Sequence, residues 1–129
     1  MTNEEMNTFI AEKVHGRHKE RIEFGVGKRW IWLDASGEKQ ISVRSYSPAT
    51  NVAQAVEALR AWLNKFDDEH ELDGAFWNLS WGVEDENVMV EIHIAESYRS
   101  ERYYQAEAAT ESRAICDALV KAVSDDLAR

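Results

Sequence analysis

Apolar positions recur at two periods along this chain, and the period changes mark its elements. In residues 3–15, Met6, Phe9, Ile10 and Val14 fall on one stripe at helical spacing. Thr2 or Asn3 can cap that helix, Glu4 and Glu5 suit the positive end of its dipole, and Gly16 suits its C′ position. The period then shortens to two. Residues 21–26 place Ile22, Phe24 and Val26 on one face. Residues 29–34 carry Trp30, Ile31, Trp32 and Leu33, apolar on both faces, as a central strand requires. Residues 40–46 alternate, with Ile41 and Val43 opposite Ser42 and Arg44. The turn signal Ala35-Ser36-Gly37-Glu38 and the short spacings make these strands antiparallel neighbours.

The helical period returns after Ser47-Pro48-Ala49-Thr50, where Ser47 or Thr50 is the expected cap. Val52, Val56, Leu59, Leu63 and Phe66 form a stripe that Ala55 and Trp62 widen. This helix should stop near Phe66, with residues 67–74 a solvated loop. Residues 75–82 read as a strand with Trp77, Leu79 and Trp81 on one face, then a turn at Glu84-Asp85-Glu86-Asn87. The clearest strand is 88–95, where Val88, Val90, Ile92 and Ile94 alternate with Met89, Glu91 and His93. Residues 98–105 fit an edge strand or an ordered loop. The last helix runs from Thr110 or Glu111 to Leu127, burying Ile115, Ala118, Leu119, Ala122 and Val123. Leu63 and Ile115 are expected core residues. With no repeat and no linker, residues 1–129 make a single α+β domain, ordered helix-β-β-β-helix-β-β-(β)-helix, with a mainly antiparallel sheet.

Four segments, MTNEEMNTFIAEKVHG, RWIWLDASG, YSPATNVAQAVEALRAWL and ATESRAICDALVKAV, resemble in that order the small phage and prophage proteins of the phage ABA sandwich domain family. The resemblance implies an α/β/α sandwich of viral or prophage origin, and it carries no catalytic residues. The alternation of apolar and polar residues in several strands adds that one sheet face is incompletely covered.

Charge changes the picture next. Residues 66–98 hold ten acids and no Lys or Arg, while the rest of the chain holds 14 acids against 15 bases. The net charge of −9 therefore resides in one quarter of the sequence, preceded by a basic stretch of Lys13, Arg17, Lys19, Arg21, Lys28 and Arg29. Such polarity can steer a partner. A pI near 4.9 argues against direct nucleic-acid binding. Five Trp in so short a chain point to core or to interface. Cys116, the single cysteine, sits among Ala114, Ile115, Ala118 and Leu119 and reads as a small buried hydrophobe in a reducing compartment. Without a signal sequence or a long apolar run, the expectation is a cytoplasmic protein with no membrane partner.

Candidate chemistry is sparse. His15 and His18 have HxxH spacing, but Gly16 interrupts the helix that would bring them together, so no metal is expected. Asp67-Asp68-Glu69-His70-Glu71 lacks the alternation of a calcium loop. Glu91 and His93 share a strand face and, with Arg44 and Arg21, could line a polar patch for a small anionic ligand or form cross-strand ion pairs. There is no nucleophile motif, phosphate loop or zinc pattern, hence no catalytic residue and no cofactor to assign. The densest binding chemistry lies in Tyr98, Arg99, Arg102, Tyr103 and Tyr104, the residue types that dominate interface hot spots. Asp67, Asp68, Glu69, Glu71, Glu84, Asp85 and Glu86 would act as an acidic steering surface.

The leading functional expectation is a phage- or prophage-type interaction protein that binds a host protein, with counter-defence as its purpose. The alternative is a binder of a small nucleotide-like ligand, and the third reading is a small enzyme built on His93 and Glu91. A homo-oligomer is compatible with each.

Overall fold

The computed structural model describes residues 1–25, 27–38, 40–70, 72–82, 86–96 and 100–129. Helix α1 (Asn3–Phe9) opens on a capping box: Thr2 Oγ1 accepts from the Glu5 amide, and Glu5 Oε1 accepts from the Thr2 amide. A π-helical turn, Ile10–Val14, continues it and buries Ile10, Ala11 and Val14. Gly16, at φ 63°, then reverses the chain.

Strands β1 (His18–Phe24), β2 (Gly27–Leu33) and β3 (Gln40–Ser42) form one antiparallel sheet with β2 in the centre. β1 starts three residues before the expected residue 21, because polar His18, Lys19 and Glu20 pair with Leu33, Trp32 and Ile31. On one face of this sheet cations lie over indoles: Lys19 Nζ is 5.1 Å from the Trp32 ring centre, and the Arg21 guanidinium is 6.0 Å from that of Trp30. Trp32, 1% exposed, carries the sheet into the core.

Helix α2 (Val52–His70) differs from expectation at both ends. Its cap is Asn51, whose Oδ1 accepts from the Gln54 amide at 3.0 Å, while Ser47 and Thr50 close the preceding turn. Val52 is thereby the first helical residue, and it lies exposed. At the far end the helix runs on through Asp67, Asp68 and Glu69 to His70, where a loop was expected. Buried Phe66 anchors this last turn, and no Gly or Pro interrupts it before Gly74.

Strands β4 (Leu72–Trp81), β5 (Val88–Glu96) and β6 (Ser100–Ala108) form a second antiparallel sheet, again with its middle strand central. Helix α3 (Glu111–Ala128), capped by Thr110 Oγ1, completes the α+β fold. The strands thus divide between two sheets. The inward residues of β5, Val88, Val90, Ile92 and Ile94, are all at most 3% exposed beneath α3. α3 lies over β5 and β6, and α2 lies beside it over β4. Ile115 is fully buried in this core, whereas Leu63 is half-buried at its rim. Cys116 is fully buried as well, and burial pushes its thiol up to about 12, consistent with an inert hydrophobe. Among the described residues, no helix is long and apolar enough to cross a membrane.

Two polar ties fasten β6 to the end of α3. Arg102 is 7% exposed. Its Nη1 lies 3.2 Å from Asp126 Oδ1, its Nη2 lies 2.7 Å from Glu96 Oε1, and its guanidinium is 4.8 Å from the Phe66 ring centre. Tyr104 Oη donates to Asp125 Oδ2 at 2.6 Å. Burial, then that carboxylate, raise the Tyr104 phenol to about 12.

Removing one member of a buried ion pair leaves the others uncompensated. Arg102→Ala should therefore cost about 3 kcal/mol in urea unfolding. A loss below about 1 kcal/mol would mean that the pair contributes little. A second expectation concerns His15, half-buried edge-on to the Tyr46 ring at 5.8 Å. Burial, then the Arg17 charge, push its imidazole from 6.5 down to about 4. The unfolded chain takes up that proton first. Stability should hold above about pH 6.5, fall towards pH 4 by on the order of 2 kcal/mol, and level off below. Comparing denaturant unfolding of wild type and His15→Gln across that range checks this, since the variant should lack that part of the fall.

Candidate functional site

Alternation assigns every residue of the second sheet to one of two faces. The register pairs Trp77 with Ile92 and Ile92 with Tyr104, so all three point at the helices. The residues between them point the other way. Phe76 pairs with His93 and His93 with Tyr103, which sets three rings in one row across three strands on the uncovered face. Phe76 and His93 stack at 4.4 Å with 9° between ring planes, and His93 meets Tyr103 at 4.7 Å and 60°. Phe76 is 57% exposed and Tyr103 48%. Beside the row, Gly74 and Ala95 leave a hollow of about 440 Å³.

The next row fixes these rings in place. Glu91 Oε2 is 3.2 Å from His93 Nε2. An ionised carboxylate only accepts, so Nε2 carries a proton and donates in this bond. Tyr103 Oη donates to Gln105 Oε1 at 2.9 Å, and the Gln105 amide reaches Met89 Sδ. Burial and Glu91 hold the Tyr103 phenol above its usual value. The face also bears Glu101 and Glu107, and no Lys or Arg among the described residues.

The segment richest in Tyr and Arg is split by this geometry. Tyr103 faces outward, whereas Arg102 and Tyr104 face inward and hold α3. Arg102 and Tyr104 thus leave the binding surface for the core: neighbours one apart on a strand point to opposite sides. Tyr98 and Arg99 lie outside the described residues, as do Glu71, Glu84 and Asp85 of the acidic set. Asp67, Asp68 and Glu69 are exposed on the last turn of α2, next to the start of β4, and Glu86 is exposed in the turn between β4 and β5. These acids bracket the two ends of the β4–β5 hairpin. Glu91 and His93 do share a face, but Arg21 is on β1 and Arg44 follows β3, both in the first sheet's part of the chain, so the four do not form one patch. His15 packs on Tyr46, while His18 Nε2 sits 3.4 Å from Glu20. No group of three or more His, Cys, Asp or Glu among the described residues is arranged to hold a metal.

Phe76, Met89 and Gln105 were not singled out by sequence. The available signal was phase: Phe76 is an aromatic on the polar beat of the Trp77, Leu79, Trp81 alternation, and Tyr103 stands likewise between two inward residues. Comparison of the chain with family models, with curated proteins and with solved structures gives no match.

Proposed function

We propose that this protein is a small interaction module that binds a protein partner across the open face of its second sheet. The observation that carries the reading is the exposed Phe76–His93–Tyr103 row. Large rings already fixed by stacking and hydrogen bonds lose little freedom on contact, which is the character of an interface anchor. Glu91, Glu101 and Glu107 on the same face, with Asp67, Asp68, Glu69 and Glu86 at its ends, favour a basic partner surface. The same acids oppose a nucleotide-like anion. On the resemblance of the quoted segments to phage proteins, the partner is a host protein met in the cytoplasm, and its capture blunts a defence.

The test is affinity capture with immobilised protein, followed by binding kinetics with the partner it retains. Phe76→Ala with Tyr103→Ala should abolish retention while leaving circular dichroism and melting unchanged, because both side chains are exposed. Trp30→Ala, in the first sheet, should retain the partner. In kinetics the ring changes should speed dissociation. Asp68→Lys with Glu86→Lys should instead slow association and flatten its salt dependence. Retention by the double ring variant equal to wild type would place the contact elsewhere.

A further inference from the structure

The two edges of the second sheet are built differently. β6 carries charge at Glu101, Arg102 and Glu107, and Lys121 Nζ donates to its Gln105 carbonyl at 2.6 Å. These are the devices by which a sheet blunts an edge. β4 has none of them between Gly74 and Trp81: the segment GAFWNLSW has no charge and no proline. Among the described residues only β5 pairs with it. Trp81 at its end is 64% exposed.

We propose that a second copy of this chain adds to β4, antiparallel, about a two-fold axis beside Asn78, making one six-stranded sheet. The occupant follows from helix α2. Because α2 lies over β4, whatever extends the sheet there also meets the outward face of α2, where Val52, Val56 and Ala61 surround Glu57 and Arg60. A strand-shaped peptide would satisfy the β4 edge and leave that face bare. A second copy brings its own α2 to it.

The position of the axis is set twice, independently. On the helix, opposite charges meet when the axis passes level with the midpoint of Glu57 and Arg60, since a two-fold then sets each acid against the other copy's base. That midpoint lies six to seven residues into α2 from Val52, or about 9–10 Å at 1.5 Å per residue. Val52 shares a hollow with Trp81, and Arg60 shares one with Ala75 and Trp77, so α2 and β4 run in opposite directions side by side. The same 9–10 Å along the strand, at about 3.3 Å per residue, leads from Trp81 back to Asn78. An axis at Asn78 in turn sets Trp81 opposite Ala75 of the second copy and Phe76 opposite Ser80. Each large exposed ring thus meets a small residue. The two open faces become continuous, so the assembly presents the aromatic row twice; the dimer itself requires no partner and is independent of the proposed function.

Sedimentation of the full chain should give about twice its 14.8 kDa mass at micromolar concentration. Asn78→Lys sets two like charges against each other at the axis and should weaken association at least about tenfold, with circular dichroism unchanged. Asn78→Cys should form an interchain disulfide on mild oxidation, because residues directly opposite in a ladder stand about 4.5–5.5 Å apart. Ser80→Cys should not, since position 80 faces position 76. Cys116 is fully buried and offers no competing thiol. A monomer at about 100 µM, a dimer unaffected by Asn78→Lys, or cross-linking of Ser80→Cys as fast as that of Asn78→Cys would overturn the proposal.

Discussion

The helices and the second sheet are arranged around the buried face of α3. Ala114, Ile115, Ala118, Leu119 and Ala122 are fully buried. They meet β5 and β6 on one side and α2, the π turn and α1 on the others. Alanines at this spacing let backbones approach closely, and Ile115 and Leu119 fill the spaces between them. A helix packed on so many sides cannot be moved to cover anything else. It takes one face of the second sheet, α2 lies beside it over β4, and α1 lies against the helices rather than the sheet. The opposite face of β4–β6 is left to solvent.

Strand parity then decides which side chains can work. Arg102, Tyr103 and Tyr104 are chemically similar candidates for a binding surface, yet they have two different jobs. Arg102 and Tyr104 reach α3 through Asp126 and Asp125, and their loss would loosen the helix on which the core depends. Tyr103 reaches outward to His93. Shifting the register by one residue would exchange these roles and bury Phe76 and His93 in place of Trp77 and Ile92. The buried Val88, Val90, Ile92, Ile94 series forbids that shift, so the same hydrophobic pattern that makes the core also fixes the exposed aromatic row.

Much of this was legible in the residues. The periods of α1, β5 and α3, the Gly16 reversal and the Thr110 cap each rest on local chemistry and are found where that chemistry puts them, whereas the buried face of α2 is Ala55, Ala58, Leu59, Trp62 and Phe66, turned away from Val52 and Leu63 of the expected stripe. What local pattern does not encode is pairing. β1 extends back to His18 because of what lies opposite it on β2. Three strands before α2 and three after it do not by themselves say whether the sheet is shared, and here two sheets form. The end of α2 was misplaced because acids near a helix C-terminus oppose its dipole, a term of only a few tenths of a kcal/mol beside the anchoring of Phe66. The site was half visible for the same reason. Tyr103 and His93 stood out by residue type, whereas Phe76 gains meaning only from the register that stacks it on His93.

The charge asymmetry, the plainest feature of the chain, acquires a physical form in the two sheets. Most of the basic stretch lies in or beside the first, and three of its six cations lie over rings, Arg17 on Tyr46, Lys19 on Trp32 and Arg21 on Trp30. Each of these rings thus already has a cation at its face, although Trp30 remains half exposed. The second sheet has the opposite arrangement. Its exposed rings Phe76 and Tyr103 each pack against the His93 imidazole between them, while Glu91, Glu101 and Glu107 stand around them without a cation on that face among the described residues. A ring already faced by a guanidinium has little to offer a basic partner. A ring flanked by carboxylates offers area and attraction together, since the quadrupole of its face and the nearby negative charge both favour a cation. Of the two aromatic surfaces in this molecule, the second is the one that sets exposed rings beside carboxylates with no cation on the same face among the described residues.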